Sequence, residues 1–379
     1  MNETVSENPS ISTDPGNTNA PISGRRKSKR RKFWLIYCLF LILLGEVGSR
    51  LYWRFSDKIP VTQMSKIWHR FYPELRDSGV EDVAVRNDDD IYDVLLLGGS
   101  LLHKDFGSIA TRLEAQLKES LSRPVKIYNA GNVARTSRDS LIKYQSLSTK
   151  RFDLVVVCDG MNELRMNNCP PGMFRNDYSH VAWYFWVKRF QAHAEAPYFV
   201  LPYTIEYLTA DLLDSAKIDW FVPRHRPSAE WMQYGQYVRT GEPFRENIEK
   251  ILSIAKERGD KVALMTTANF LPDDYSEEAF KRKFLDYGKH TAPIELWGLP
   301  ENVRKGLAIH NKILREIAAA HSDVAFVELD GVIPKDAKHF DDCCHLADAG
   351  CKIFVDRLVD GLPIRQLQSA QRRHTNPAQ

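Results

Sequence analysis

Short runs of large aliphatic residues that stop at glycine recur along this chain. "DVLLLGG" begins at Asp93, and "FDLVVVCDG" repeats the pattern later in the sequence. Consecutive apolar residues are typical of strands that are covered on both faces. Between such runs, apolar residues recur at helical spacing, as in Ile109, Leu113, Leu117 and Leu121. This alternation predicts a parallel sheet with helices on both of its faces.

The alternating pattern runs from about residue 91 to residue 363, with one long interruption. Further strands are predicted at "VKIYNAG", "KVALMTT" and "VAFVEL". Further helices are predicted at "DSLIKYQSLS", from Phe244 to Ala255, from Asn302 to Ala320 and from Ala347 to Leu362. The interruption, at about 164–241, is rich in aromatic residues and contains "YSHVAWYFWVKRF". We predict one large domain whose aromatic insertion forms its own core, although such a cluster also suits a membrane interface.

Positive charge is concentrated in one short segment near the N-terminus. The formal net charge is only +3, but "RRKSKRRK", Arg25 to Lys32, holds seven basic residues. Residues 33–379 carry 45 basic and 46 acidic residues. Because the chain beyond residue 32 is so nearly neutral, we expect no nucleic-acid partner.

An apolar segment follows the basic one. "FWLIYCLFLILL", Phe33 to Leu44, is shorter than the ~20 residues that span a bilayer, but extension to Trp53 gives 21 residues. Glu46 and Arg50 then lie four residues apart on one helical face, where they can pair. The positive flank should stay in the cytoplasm. We therefore predict a single-pass transmembrane anchor over 33–53, with the N-terminus in the cytoplasm.

This topology divides the rest of the chain. Residues 1–32 are predicted to be a disordered basic tail, residues 54–90 a juxtamembrane stalk, and residues 364–379 a loose C-terminal tail. The domain at 91–363 then lies outside the cytoplasm, in the periplasm or at the cell surface. Two alternatives stay open: a signal peptide cleaved at "VGS" before Arg50, and a soluble protein.

Six cysteines are present, and Cys38 lies in the predicted anchor. An extracytoplasmic location would permit disulfides among the other five, which are Cys158, Cys169, Cys343, Cys344 and Cys351. A bond from Cys343 or Cys344 to Cys169 is one hypothesis, because both loops leave the predicted sheet on the same side. The sequence has no pair of CxxC motifs, which argues against a zinc site.

Polar residues with complementary chemistry follow the predicted strands. Ser100 follows the first strand, Gly131 the second and Asn162 the third, while Asp342 and His345 follow the last. In an open parallel sheet, ligands bind beyond the carboxyl ends of the strands. A hydroxyl, an unobstructed backbone amide, a carboxamide, and a carboxylate three residues before an imidazole are the groups that acyl transfer requires. Each residue also has an ordinary structural explanation, as a turn residue, a helix cap or a helix-entry histidine.

These stretches, "GGS", "NAGN", "DGMNEL" and "DDCCH", resemble in order and spacing the four sequence blocks of the SGNH/GDSL hydrolase superfamily. The resemblance covers about residues 91–363 and implies a three-layer α/β/α sandwich with a parallel, flavodoxin-like five-stranded sheet. It implies Ser100 as the nucleophile, His345 as the general base and Asp342 as the carboxylate that orients the base. The Ser100 and Gly131 amides and the Asn162 side chain would form the oxyanion hole. The resemblance implies no metal or other cofactor.

Two positions depart from the pattern of this family. Gly99 stands where the name-giving motif has aspartate, and Glu163 stands where the third block has aspartate. Neither position is one of the implied catalytic groups. Asp341 competes with Asp342 for the orienting role, and only the family spacing favours Asp342.

Two other histidines lie near these blocks or in the insertion. His103 follows Ser100 by three residues, and we expect it to pack or to be solvated rather than to join the site. His180 lies in the insertion and is a weaker candidate for a substrate contact.

The leading functional hypothesis is an extracytoplasmic serine esterase that removes O-acyl groups, such as acetyl, from a glycan. The glycan follows from compartment and family alone. A lipid acyl hydrolase and an O-acyltransferase would use the same site. A catalytically silent, membrane-anchored binding or assembly protein is the alternative from a different class.

Overall fold

A five-stranded parallel sheet lies at the centre of the computed structural model, which describes residues 23–191, 199–215, 221–222 and 226–362. The strands are β1 Tyr92–Gly98, β2 Val125–Asn129, β3 Leu154–Cys158, β4 Lys261–Met265 and β5 Ala325–Val327. Their order is β2-β1-β3-β4-β5, and every neighbouring pair is parallel. This is the flavodoxin-like order, so the predicted fold class is confirmed.

Helices cover both faces of the sheet. The α-helices are α1 Ser23–Asp57, α2 Pro73–Asp77, α3 Ile109–Leu121, α4 Ser137–Ser146, α5 Glu163–Met166, α6 Ala182–Gln191, α7 Leu201–Ser215, α8 Gly241–Arg258, α9 Glu277–Lys281, α10 Pro300–Ala320 and α11 Asp348–Gly361. Short 3-10 helices cover Met64–Phe71, Ser100–Leu102, Lys104–Phe106, Met232–Tyr237 and Ile294–Leu296.

Alternate residues of each strand enter two different cores. Val94 and Leu96 of β1 pack in the core that includes α3 and α11. Leu95 and Leu97 pack on the other face, with residues of α4, α8 and α10. Because successive side chains of a strand point to opposite faces, an unbroken aliphatic run is the pattern that a strand between two helix layers requires.

The N-terminal part of the chain differs from the predicted arrangement. Helix α1 begins at Ser23, so residues 23–32 are helical and not a disordered tail. Residues 1–22 and the predicted loose tail at 364–379 lie outside the described residues. The segment 54–90 is not an exposed stalk, because Ile67, Phe71 and Leu75 are buried in the same core as Leu95 and Leu97. The folded domain therefore begins well before residue 91.

The aromatic insertion packs partly on the N-terminal segment, from Trp53 onward, and partly on itself. Trp183 of α6 lies edge-on to Phe71, with ring centroids 5.0 Å apart, and Phe190 lies 5.7 Å from Trp53. A smaller cluster inside the insertion includes Met166, Cys169, Tyr178, Tyr184 and Val222. The insertion thus forms its own core only in part, because Trp183 and Phe190 pack on the N-terminal segment while Trp186 packs on Tyr207 within the insertion.

Candidate active site

Two glycines bring Ser100 to the carboxyl end of β1 by allowing close backbone approaches. A Cβ atom on Gly98 would lie 2.4 Å from the carbonyl oxygen of Cys158. A Cβ atom on Gly99 would lie 2.7 Å from Nδ2 of Asn162. Any larger residue would therefore push apart two strand ends or displace the carboxamide. The turn leaves Ser100 buried at the start of a 3-10 helix.

Three side chains form a continuous hydrogen-bonded chain. Oγ of Ser100 lies 2.7 Å from Nε2 of His345, and Nδ1 of His345 lies 2.7 Å from Oδ2 of Asp342. Oδ1 of Asp342 accepts the backbone amides of Cys344 and His345, and Oδ2 also accepts that of Ala292. With its carboxylate fixed by three amides, Asp342 holds the imidazole so that Nδ1–H faces the carboxylate and Nε2 can accept the serine proton.

The imidazole of His345 is enclosed. The ring of Phe106 stacks on it with centroids 4.1 Å apart and an angle of 19° between the planes. Burial by itself lowers the pKa of His345, whereas neighbouring Cys344 and the hydrogen bond to Asp342 raise it above its usual value. Burial also raises the pKa of the Cys344 thiol well above 9, so this thiol is neutral at neutral pH. Asp342 is therefore the group that stabilises the imidazolium there.

Asp341 has a different partner. Its Oδ2 accepts a hydrogen bond from Nζ of Lys289 at 2.7 Å, and its backbone amide donates to the carbonyl of His345. The carboxylate that contacts the imidazole is therefore that of Asp342, and Asp341 ties the same turn to residue 289.

The carboxamide of Asn162 is held from both ends. Its Nδ2 donates to the backbone oxygen of Arg135 at 2.8 Å, and its Oδ1 accepts from Nε1 of Trp297 at 3.0 Å. The guanidinium of Arg165 lies over the Trp297 ring, 5.1 Å from its centroid. Because the indole N–H can only donate, it fixes which end of the amide is the oxygen. The NH₂ group is thereby kept on the side of Gly99 and Ser100.

Arg135 links this loop to the N-terminal segment. Its guanidinium donates to both oxygens of Glu74, at 2.7 and 2.9 Å, and to the carbonyl of Phe71 at 2.6 Å. Nζ of Lys143 lies 3.4 Å from the same carboxylate. Burial opposes ionisation of Glu74, but Lys143 and Arg135 lower its pKa to about 2. A buried ion cluster therefore supports the loop whose carbonyl holds Asn162.

Gly131 does not present its amide to the site. The N–H of Gly131 donates to Oδ1 of Asn129 at 2.9 Å, as in an Asx turn. A Cβ atom at this position would lie 2.5 Å from Cβ of Leu102, so the glycine is needed for packing. The predicted donation from Gly131 to an oxyanion is at odds with this geometry, and Asn162 and the Ser100 amide are the donors that remain.

Glu163 supports the loop after β3. Its carboxylate accepts the backbone amides of Ser137 and of Gly160, the latter at 3.1 Å. Burial raises the pKa of Glu163 and that of nearby Asp159. This longer carboxylate thus bridges the third sequence block to the start of α4, which is a supporting contact and not a catalytic one.

The two other histidines are engaged elsewhere. Nδ1 of His103 accepts the backbone amide of Asp105. His180 is buried, with its nitrogens bonded to the Arg175 amide and the Met166 carbonyl, and burial lowers its pKa to about 4. His180 therefore has structural partners inside the insertion, and these occupy both ring nitrogens of this weaker candidate for a substrate contact.

The cysteines are free thiols. Cys169 is buried with its Sγ 3.7 Å from the carbonyl of Met166, and neither Cys343 nor Cys344 is bonded to it. The hypothesis of a disulfide to Cys169 is wrong in this structure, because Cys169 packs in the cluster of the insertion while the other pair lies beside His345.

One group within the described ranges has metal-ligand character, namely Asp342 with Cys343 and Cys344. Both oxygens of this carboxylate already accept backbone amides, and Oδ2 also contacts the imidazole. Burial raises the pKa of both thiols, which disfavours the thiolate form that metals bind. The arrangement is better suited to orienting a base than to holding an ion.

No protein-family model matches the sequence, and no curated protein matches it. Solved structures with a similar chain path include an acetylxylan esterase from Geobacillus stearothermophilus, 11% identical with a TM-score of 0.39, over 71% of this chain and 93% of that chain. Another is a GDSL-like lipase from Bacteroides thetaiotaomicron, 13% identical with a TM-score of 0.39, over 78% of this chain and 99% of that one. Similarity at this level assigns no activity, so the chemistry has to be argued from the side chains.

Proposed function

We propose that this chain is a serine esterase of the SGNH/GDSL type that removes small O-acyl groups. The observation that carries the proposal is the chain of hydrogen bonds from Ser100 through His345 to Asp342, with the NH₂ group of Asn162 beside Gly99, the residue before the serine. A binding or assembly protein would not require these four groups to be aligned.

The proposed reaction has two halves. Oγ of Ser100 attacks the ester carbonyl while Nε2 of His345 takes the serine proton, and Asp342 stabilises the imidazolium. The Asn162 side chain and the Ser100 amide hold the oxyanion. When the intermediate collapses, the C–O bond to the alcohol breaks and His345 returns the proton to the leaving oxygen. Water then attacks the acyl-enzyme, again through His345, and releases the acid and Ser100.

A small cavity beside the serine suits a short acyl group. Its volume is about 30 Å³, and the residues that line it include Leu101, Met161 and Thr267. This is room for about two water-sized groups, which suits an acetyl methyl. We therefore propose acetyl esters as substrates. The extracytoplasmic topology predicted from the sequence and the family resemblance favour a glycan as the alcohol, in preference to a long-chain lipid ester.

A fluorophosphonate probe tests the serine. Full-length protein in detergent should be labelled, as should Ser253→Ala, a control at an exposed serine of α8. Ser100→Ala should not be labelled. Labelling of Ser100→Ala, or no labelling of the natural protein, would rule out the proposed nucleophile.

The acyl preference is a separate test. Hydrolysis of an aryl acetate and of the matching aryl octanoate should differ at least tenfold in kcat/KM, in favour of the acetate. Equal rates, or a preference for octanoate, would favour a lipid acyl hydrolase.

A further inference from the structure

One face of α1 stays apolar and exposed far beyond the first apolar run. Phe40, Leu44, Val47, Leu51 and Phe55 are spaced by three or four residues, so they form one helical stripe. Each is between 44% and 80% exposed. This stripe runs along α1 past the point at which the helix first contacts the domain.

The opposite face of the same helix is bound by the domain. The Oε2 atom of Glu46 accepts the backbone amides of Val200 and Leu201, at 2.8 and 2.9 Å. Nε1 of Trp53 donates to Oγ1 of Thr204 at 2.9 Å. Helix α7 therefore lies alongside α1 from about residue 45 to residue 53.

Helix α7 has an exposed apolar stripe of its own. Ile205, Leu208 and Leu212 follow one another at helical spacing and are between 44% and 70% exposed. Thr204 and Tyr207 face α1, where the Tyr207 ring lies 5.5 Å from that of Trp53. Both helices thus turn apolar side chains outward.

The first apolar run is too short to cross a bilayer alone, so a membrane around α1 has to extend to the part of α1 that contacts α7. Twelve helical residues, 33–44, cover about 18 Å, whereas the hydrocarbon core of a bilayer is about 30 Å thick. A span must therefore use roughly eight further residues, up to about residue 52. Along those residues α1 is already paired with α7, so lipid that surrounds α1 there also meets α7.

We propose that α7 lies beside α1 in the leaflet on the side of the domain, with Ile205 at the depth of the acyl chains and Leu208 and Leu212 towards the boundary between acyl chains and headgroups. This inference rests on α1 being the membrane anchor. A partly buried ion pair fits such a location, because Glu46 accepts from Nε of Arg50 at 2.7 Å and Arg50 donates to the carbonyl of Val61 at 2.7 Å. Glu46 also satisfies two backbone amides at the start of α7, which lipid would leave without acceptors.

Lipid is favoured over a protein partner because the two stripes are continuous with the run 33–44, whose side chains are exposed all round the helix. An apolar surface that begins on a candidate membrane span and continues onto the neighbouring helix is expected to be covered by lipid on both helices.

The test uses full-length protein in phosphatidylcholine vesicles, with single cysteines that carry an environment-sensitive NBD fluorophore. Exposed Cys38 is first changed to serine, and the other cysteines are buried. Labels are placed by Leu208→Cys, by Phe40→Cys on α1, and by Ser253→Cys on the exposed surface of α8; Leu212→Cys is the second α7 position. Circular dichroism confirms that each variant is folded.

The α7 labels should be quenched by nitroxide lipids at least threefold more strongly than the Ser253 label and should be protected from aqueous iodide. Iodide quenching at α7 equal to that of Ser253, with the Phe40 label still quenched by lipid, would overturn the inference and leave the anchor in place. Protection from both quenchers would mean a protein covers α7, which also overturns it. Without lipid quenching at Phe40, α1 is no anchor and the inference fails with it.

Discussion

Asp341 and Asp342 are adjacent in sequence, yet only one contacts the base. Asp342→Asn should lower kcat by several orders of magnitude with the fold intact, on a scale of ~10⁴, because the amide would favour the wrong imidazole tautomer. Asp341→Asn should cost less than about tenfold, because it loses only the pair with Lys289. The measurement is kcat on one aryl acetate, with circular dichroism as the folding control. The opposite ranking would transfer the orienting role to Asp341.

The pH dependence should report His345. Its neutral form takes the serine proton, so activity rises as pH passes through its pKa, which Asp342 raises above the ordinary 6.5. The acid limb of kcat/KM should therefore lie above pH 6.5 and should move to lower pH in Asp342→Asn, where the carboxylate charge is lost. A profile that is flat from about pH 5 to 10 would refute a histidine base.

Trp297 should act on catalysis only through Asn162. Asn162→Ala should lower kcat by roughly 10²–10³, the usual effect of losing one oxyanion donor. Trp297→Phe keeps a ring but removes the N–H that fixes the carboxamide, so kcat should fall about tenfold with little change in KM. In the Asn162→Ala background, Trp297→Phe should have no further effect. Equal losses in both backgrounds would mean that Trp297 acts through the fold.

Sequence patterns predict some of these site residues and not others. Ser100, Asn162, Asp342 and His345 each follow a strand whose end is visible as a glycine or a polar break. Trp297 lies between β4 and α10 in a segment without periodic pattern, and its role exists only because folding brings it to residue 162. For Gly131 a local signal is present, since an asparagine two positions earlier is typical of an Asx turn, in which the asparagine side chain accepts the backbone amide of Gly131.

At the level of elements, α2 supplies a buried carboxylate, and the neighbouring 3-10 helix a carbonyl, to Arg135 in the site loop. Glu74→Gln should lower the free energy of unfolding by about 3–5 kcal/mol, because Arg135 and Lys143 would be left buried without their counter-ion. Since the folded-state pKa of Glu74 is lowered to about 2 from 4.5, its stabilising effect is present above pH 4.5 and is lost as pH falls towards 2.

Urea unfolding followed by tryptophan fluorescence measures this effect in detergent. Asp88→Asn is the matched control, because its pair with Arg86 is exposed and should change stability by less than about 0.5 kcal/mol. A Glu74→Gln variant as stable as this control would show that the cluster does not hold the N-terminal segment.

The strands and main helices were predictable because buried aliphatic runs and helical stripes are local patterns. The packing of residues 54–90 was not, because a 3-10 helix and short turns bury Ile67, Phe71 and Leu75 without the spacing of an α-helix or a strand. The aromatic residues of α6 were likewise visible, but their partner was not, since it lies more than a hundred residues earlier in the chain.

For the whole molecule, the basic segment Arg25–Lys32 predicts the topology. A C-terminal alkaline phosphatase fusion should be active, and a matching fusion to a reporter that works only in the cytoplasm should be inactive. The reverse result would place the domain in the cytoplasm. Cleavage after Ser49 is disfavoured by the packing, because it would separate Glu46 from Arg50 and would release the amides of Val200 and Leu201.

The burial of Trp53, Phe71 and Leu75 also bears on whether this protein can be shed. A domain on an extended linker is released from a membrane by one proteolytic cut and keeps working in solution. Here a protease would find Trp53, Phe71 and Leu75 inside the core, and a fragment beginning at residue 91 would lose Glu74 and with it the partner of Arg135. We expect activity to remain with the membrane fraction while α1 and α7 stay packed, so a membrane-anchored esterase of this kind would act only on substrates that come to that surface.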